Sequence, residues 1–311
     1  AMQVSHNQRT MPQNFGANFN LDVDLLPGLK FKTTYGAEWV FNSIKNVTPV
    51  YELNATSKNA TSKVEDKKRE SSYWQWENVL SYTKSFGRHN IGALFGTSMS
   101  SYHYSNLEAE DYNLLVVDID KGYIDTATAP EEQSKVWGGA EDHRIASIFG
   151  RINYNYDEKY YFSASLRTDG SSRFHKDHRW GTFWSIGGNW RISKEAFMED
   201  VKWIDNLSLK LSYGQQGNDN ILNSDKTSNY YLWQSLYDLD WPNSNQIGGM
   251  VSSLENQVVS WEKNGNLNVG VEATFLGSRL SVNAEYYNRK TVDMLLSYPM
   301  ATSTGFNGYN A

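Results

Sequence analysis

The chain has 311 residues with 39% hydrophobic and 14% aromatic side chains, a formal net charge of −6 and a mean hydropathy of −0.62. It has no run of about 18 apolar residues, which excludes a transmembrane helix, and no cysteine, which excludes disulfides and thiolate chemistry. The acidic balance, without a clustered basic patch, argues against binding to nucleic acid.

Two stretches near the start of the chain alternate apolar and polar residues. Phe15 to Val23 is the first, and a Leu26-Pro27-Gly28 turn leads into the second, from Leu29 to Trp39. A period of two predicts strands whose two faces meet different environments. Residues 43–70 are rich in Asn, Thr, Ser, Lys and Glu without an apolar period, so we expect a long polar loop there.

A pair of strands is predicted near 72–84 and 90–102, joined by a short connection at 85–89. The outer face of the first is marked by Trp74, Trp76, Leu80 and Tyr82. Residues 105–142 are predicted to form a second long loop.

Residues 147–213 carry the clearest pattern, four alternating runs in which every charge falls on the polar face. In the fourth run Leu209 and Leu211 oppose Lys210. The runs are about 9–11 residues long, the length with which a tilted strand crosses a bilayer. An arginine on the lipid face would cost roughly 2–4 kcal/mol at mid-bilayer, so the polar face should line a lumen.

Aromatic residues cluster at both ends of these runs, as at membrane–water interfaces. One cluster comprises Tyr154, Tyr156, Tyr160 and Tyr161, and the other comprises Trp180, Phe183 and Trp184. The link at 193–205 is predicted to hold one helical turn capped by Ser193, with Phe197, Met198 and Val201 packing beneath the sheet.

After a polar loop at 215–257, two further strands follow, near 267–275 and 280–289, joined by a turn at 276–279. Short and long connections alternate along the chain. We therefore predict an all-β fold, an antiparallel transmembrane β-barrel of about ten strands with short periplasmic turns and long extracellular loops. Closure within this chain is allowed but not required.

Two sets of residues are candidate contact sites. The 215–257 loop carries five rings that either stack on a sugar or peptide or pack on each other or on a neighbouring protein: Tyr230, Tyr231, Trp233, Tyr237 and Trp241. Polar side chains of the lumen face are predicted to contact mainly a plug and water: Arg151, Arg167, Arg191, Lys210, Glu272, Asn283 and Arg289.

Other motifs favour ordinary loop structure. His175 and His178 have a metal-like spacing but no third ligand nearby, so no metal or other cofactor is expected. Asp169 to Arg173 is predicted to form a turn in which Arg173 bonds back to Asp169. Asn218-Asp219-Asn220 lacks the Gly and Glu of a calcium loop. No nucleophile elbow, phosphate loop or paired carboxylate is found, so the chain is not expected to be an enzyme.

Over roughly 145–306 the chain closely resembles the SusC/RagA-type TonB-dependent outer-membrane transporters. The resemblance lies in GRINYNYDEKYYFSASLRTDGSSRF, RWGTFWSIGGNWRISKEAFM, IDNLSLKLSYGQQGN and SWEKNGNLNVGVEATFLGSRLSVNAEYYNRKTVDMLL. It implies that residues 1–311 are part of a single receptor β-barrel domain, with the plug domain not present in this chain.

The same resemblance implies a function and a location. Such a protein, in the outer membrane of a Gram-negative cell and in contact with its lipid, would import oligosaccharides or oligopeptides. It would work with a SusD-like surface lipoprotein and with the TonB system through the plug region. The alternative is a soluble or surface β-rich carbohydrate-binding or adhesion protein without transport activity.

Overall fold

The computed structural model describes residues 7–222, 228–239, 248–305 and 308–310. The ten long strands are β1 (Asn7–Leu26), β2 (Leu29–Thr48), β5 (Lys63–Phe86), β6 (His89–Tyr112), β7 (Lys135–Tyr156), β8 (Tyr160–Ser171), β9 (Trp180–Arg191), β10 (Ile204–Asn218), β13 (Glu262–Phe275) and β14 (Leu280–Val292). They form one antiparallel sheet in the order β1-β2-β5-β6-β7-β8-β9-β10-β13-β14. The prediction of about ten antiparallel strands is confirmed.

Short elements occupy the connections. Three small antiparallel pairs are β3 (Tyr51–Glu52) with β4 (Lys58–Asn59), β11 (Leu236–Asp238) with β12 (Met250–Ser253), and β15 (Ser297–Pro299) with β16 (Gly308–Asn310). Single 3-10 turns are formed by Ile124–Thr126, Glu131–Gln133, Ile192–Lys194, Ala196–Met198 and Thr302–Thr304. In the described ranges, no helix has the length and apolar character of a membrane span.

The short connections are tight turns in which residues adopt positive φ. Gly28 has φ 84° in the first turn, and Gly87 has φ 59° in the turn between β5 and β6. Asp157 and Glu158 (φ 53° and 51°) connect β7 to β8. Because glycine has no Cβ, it reaches this region without steric cost, which explains why Pro27-Gly28 can reverse the chain in two residues.

The strand faces follow the predicted parity. Leu209 pairs with Trp190 on one side and Val271 on the other, while Lys210 pairs with Asn189 and Gly270. The apolar set is exposed in this chain: Phe15, Phe19, Trp39, Trp74, Trp76, Leu80, Tyr82, Ile148, Ile152, Phe162, Leu166, Trp184, Ile186, Leu209, Leu211, Val271, Val282 and Tyr286. An exposed apolar band of this extent indicates a surface that contacts an apolar environment and not water.

Two predicted loops were wrong at their ends. Residues 43–48 and 63–70 belong to β2 and β5, and residues 105–112 and 135–142 belong to β6 and β7, so the connections shrink to 49–62 and 113–134. The apolar period stops there, but the strands continue because charged side chains pair across them. Sequence reasoning that looks only for apolar alternation misses such strands.

The first of two compact units comprises residues 1–19, 35–75 and 100–142. Its charged pairs join neighbouring strands: Glu108 accepts hydrogen bonds from Arg69 at 2.7 Å and pairs with Lys67 at 3.3 Å. Glu110 pairs with Lys63 at 3.4 Å and with Lys135 at 3.1 Å. Both glutamates are almost fully buried, which is tolerable because each carboxylate faces two cations.

A small apolar cluster in the same unit anchors the 113–134 connection. Val47, Val64 and Leu114 are buried together, and Ile119 and Ile124 pack against them. The connection is therefore held against β2 and β5 by its own apolar side chains.

The predicted turn at 193–205 was partly wrong. The segment holds two 3-10 turns, and neither has a side-chain cap: Arg191 precedes the first and Glu195 the second, so Ser193 is not an N-cap. Phe197 is 65% exposed and does not pack beneath the sheet. Each 3-10 turn is a single i→i+3 turn of three residues, which is too short to present a continuous apolar face to the sheet.

Candidate functional site

The second compact unit, residues 20–34, 76–99 and 143–311, carries the predicted site residues that the structure describes. The polar candidates all lie on the face opposite the apolar band. Arg151 faces Ser165 on β8, Arg191 faces Ser208 on β10, and Asn283 faces Glu272 on β13. What they contact in the assembled protein stays a prediction.

Several of these charges are paired within the sheet. Arg167 donates from Nε to Asp169 Oδ1 at 2.7 Å and from Nη2 to Ser147 Oγ at 2.9 Å. Lys210 pairs with Glu272 on the neighbouring strand. Arg289 donates to Asn266, with 2.8 Å between Nε and Oδ1. The face thus presents dipoles and balanced ion pairs, which suit hydration and polar contacts.

A polar groove of about 1080 Å³ lies along this face of β8, β9, β10, β13 and β14. Its lining includes Arg167, Gln215, Gln216, Asn266 and Arg289. Carboxamides donate and accept hydrogen bonds, and arginine donates several, so the groove matches a solute rich in hydroxyl, carbonyl or carboxylate groups.

At the end of the sheet that bears the long connections, an apolar cluster joins two connections, the one between β8 and β9 and the one between β10 and β13, to strand β9. We call it the cap cluster, and it consists of Phe174, Phe183, Ile221, Leu232, Val259 and Trp261. Phe183 was predicted as an interfacial ring, and that was wrong: it is 5% exposed and lies on the polar-face parity of β9, under the loops. Gly217 permits this, because a Cβ there would overlap the Phe183 ring.

Beside the cap cluster, a buried polar group joins the same loops. We call it the Asp219 cluster, and it consists of His143, Ser171, Arg173 and Asp219. Ser171 donates to Asp219 Oδ2 at 2.6 Å, and His143 Nε2 lies 2.9 Å from the same oxygen. Arg173 Nη1 donates to the Asp219 carbonyl and to Asn220 Oδ1, both at 3.0 Å.

The carboxylate of Asp219 is ionised because of these partners. Burial alone would raise its pKa, but hydrogen bonds from His143 and Ser171 and the charge of Arg173 lower the pKa below the ordinary 3.8. The predicted bond from Arg173 back to Asp169 was wrong. Asp169 pairs with Arg167 instead, and Arg173 reaches across to the loop after β10.

The Asp219 cluster contains the residue types of a hydrolase triad but not the geometry. Ser171 and Asp219 both contact Nε2 of His143, at 3.4 and 2.9 Å, whereas a triad uses the two different ring nitrogens. Ser171 is also fully buried. The arrangement holds loops together and offers no accessible nucleophile.

The predicted aromatic residues are placed in different surroundings. Tyr230 packs over Arg173, with 4.8 Å between the guanidinium and the ring centre, and Trp233 meets His175 edge to face at 5.4 Å. Tyr231 is half-buried, whereas Tyr237 is 63% exposed. The fifth predicted residue, Trp241, lies outside the described residues. Their contact with substrate stays a prediction.

His175 and His178 serve the loop fold. His175 lies beside Asp177 at 3.3 Å, and its carbonyl accepts the backbone N–H of His178 at 2.9 Å. Among the described residues, no three His, Asp or Glu side chains are grouped as metal ligands.

Sequence reasoning missed the Asp219 cluster, the cap cluster and the ion pairs that Glu108 and Glu110 make with basic residues. The first two join residues that are tens of positions apart in strand ends and loops, so no local pattern marks them. The third had a signal: Lys63, Lys67 and Arg69 share one parity, and Glu108 and Glu110 share one parity in the facing segment.

Comparison with known proteins identifies the family. Residues 3–311 match the family model described as "TonB dependent receptor-like, beta-barrel". The chain belongs to this family. It is 30% identical to TonB-dependent receptor P39 of Formosa agariphila over 100% of this chain, and 29% identical to TonB-dependent receptor SusC of Bacteroides thetaiotaomicron over 93% of this chain. In both cases the chain spans 28% of the relative's length.

The fold is that of a known transporter. The structure of the RagAB peptide transporter superposes with a TM-score of 0.87 at 23% identity, covering 99% of this chain and 33% of that chain. The family match and the SusC relative confirm the resemblance to the SusC/RagA-type receptors, and the family match confirms the transmembrane β-barrel fold class. Proteins of this family lie in the outer membrane of Gram-negative bacteria, which is the location of this chain.

Proposed function

We propose that this chain forms part of the wall of a TonB-dependent importer of the SusC/RagA type. The importer takes up oligosaccharides or oligopeptides with a SusD-like surface lipoprotein, and it draws energy from the TonB system through a plug region. The observation that supports this most is the two-faced sheet. Ten strands present an apolar band on one side and a groove of about 1080 Å³ with paired charges on the other.

Within this function the polar face has a supporting task. Arg167 and Lys210 already pair with carboxylates in the sheet, and Arg289 donates to the neutral carboxamide of Asn266. A plug or a passing solute therefore meets a face on which part of the positive charge is balanced. A weak, evenly hydrated surface lets a polar solute move, whereas strong binding would hold it. Truncation of these residues should therefore alter assembly or gating more than affinity.

In this proposal the aromatic loop between β10 and β13 makes the first contact with the substrate. Tyr230 and Trp233 contribute one face to loop packing, and Tyr237 presents most of its ring to solvent. Stacking contributes about 1–3 kcal/mol per ring on the scale known for bases. Several such rings give micromolar affinity in combination.

The test uses the full-length protein in a strain that lacks it. Uptake of a panel of oligosaccharides and oligopeptides should require the protein, and calorimetry on the purified complex should show weaker binding after Trp233→Ala plus Trp241→Ala. The matched control is Trp203→Ala, because Trp203 is 58% exposed but sits between β9 and β10 at the opposite sheet end.

Two results would contradict the proposal. A full-length protein that stays soluble and monomeric without detergent, outside the membrane fraction, would favour a binding or adhesion protein. Unchanged affinity in the double variant would remove the loop from the binding site and leave its rings as packing.

A further inference from the structure

The apolar face of the second unit has a hollow of about 650 Å³ across β5, β6, β7 and β8. Its floor consists of three small residues on adjacent strands, Ala93, Gly150 and Ala164. Each shares the parity of the exposed apolar residues beside it on its own strand. Larger side chains surround them: Tyr82, Phe95, Ile148, Ile152 and Leu166.

Strand register explains why the hollow stays open. Gly150 faces Leu166, and Ile152 faces Ala164, so each small residue on one strand has a large neighbour on the next. Side chains stand roughly perpendicular to a sheet and lean along the strand direction, so the large side chains rise on either side of the small ones. The space above the three small residues is therefore not filled by protein side chains.

In the outer membrane this hollow faces hydrocarbon. Water has no polar partners there, and a void left empty loses the dispersion contacts of its lining atoms. Lipid tails are as apolar as the side chains, so the hydrophobic effect does not distinguish one lipid site from another. Shape does distinguish them, and a concave wall contacts an acyl chain on more sides than a flat one.

A lysine stands on β5 between the hollow and the short turn at 87–88. Lys84 follows Tyr82 by two residues, so it shares the apolar-face parity, and it is exposed. An aromatic rim stands beside it: Phe86 stacks on His89 at 5.2 Å, and His89 Nδ1 lies 2.7 Å from the Tyr154 hydroxyl. Aromatic residues and lysine at a strand end are suited to the level of lipid phosphates.

We propose that this hollow is a binding site for one phospholipid of the periplasmic leaflet. One acyl chain fills the space over Ala93, Gly150 and Ala164, and the phosphate lies at Lys84. The proposal depends on the outer-membrane location of the chain and is independent of which solute is imported.

Native mass spectrometry of the full-length protein in detergent tests this, with dioleoylphosphatidylethanolamine as the probe. The parent protein should keep one phospholipid that resists delipidation. Ala164→Phe fills the hollow and should lose that lipid, and Lys84→Gln should weaken its retention. Ala284→Phe is the matched control, because Ala284 is an exposed alanine of apolar-face parity on β14, and it should keep the lipid.

Heat-modifiable migration in gels confirms that each variant is folded, and Ala93→Leu replaces Ala164→Phe if the latter does not assemble. Equal lipid retention in the parent and the filled variant would overturn the proposal. So would loss of the lipid in Ala284→Phe to the same degree, because the bound lipid would then be part of the general annulus.

Discussion

Replacement of Trp261 by alanine should release the loops that the cap cluster joins. Trp261 is 5% exposed, and its ring centre lies 5.6 Å from that of Phe174 and 5.4 Å from that of Phe183. Its Nε1 donates to the Arg179 carbonyl at 2.8 Å. Truncation of a buried tryptophan costs about 3–5 kcal/mol. This loss falls on the loops, because the strand hydrogen bonds do not involve the indole.

Limited proteolysis of the full-length protein in detergent measures the effect. Cleavage within 219–261 should become much faster, while the strands stay protected and the protein still migrates as a folded barrel. Trp203→Ala is the control, since Trp203 is 58% exposed and stacks on Phe275 at 5.6 Å. Equal cleavage of the parent and the Trp261 variant would refute the inference that these side chains hold the loops.

Three further outcomes are expected. Because the pKa of Asp219 is lowered in the folded loops, its contribution to loop stability is complete above the ordinary 3.8 and is lost as the pH falls below that value. Protection of 219–222 against hydrogen exchange, taken relative to the intrinsic amide rate at each pH, should fall there, and Asp219→Asn should remove this pH dependence. Glu108→Gln leaves the charge of Arg69 unbalanced and should lower stability by about 1–3 kcal/mol. The loss should appear as faster hydrogen exchange in the ends of β5 and β6 next to the 113–134 connection, and Glu285→Gln is the exposed control. Gly217→Ala should displace the Phe183 ring and lower loop protection from protease.

The strands that cross the apolar band were predictable, and their ends were not. Leu209, Lys210 and Leu211 reveal the period because the two faces of the sheet meet opposite environments. Beyond the band both faces meet polar surroundings, so the period of hydrophobicity vanishes although the hydrogen bonds continue. There the opposite charges of Arg69 and Glu108 stabilise the pairing of the strands. This complementarity can be recognised only when the two distant segments are compared.

The loop contacts were less predictable still. Phe183 looks like an interfacial ring by composition. Its position in the alternation of β9 puts it on the polar face, where it lies beneath the loops. The sequence around Asp219 suggests only a comparison with a calcium loop, because no local pattern indicates that Ser171 and His143 contact it from 48 and 76 residues away. Contacts of this kind depend on how loops return to the sheet, which a local pattern does not specify.

Substitution of one residue on each face of β10, in two separate variants, tests the account most directly. In the full-length protein, Leu209→Arg places a charge among the apolar side chains of Trp190 and Val271 and should block assembly, at a cost of about 2–4 kcal/mol in mid-bilayer. Lys210→Leu loses its pair with Glu272 on the polar face but should still insert. Membrane fractionation with heat-modifiable migration measures both. Insertion of the Leu209 variant together with failure of the Lys210 variant would show that the faces are reversed and contradict the account.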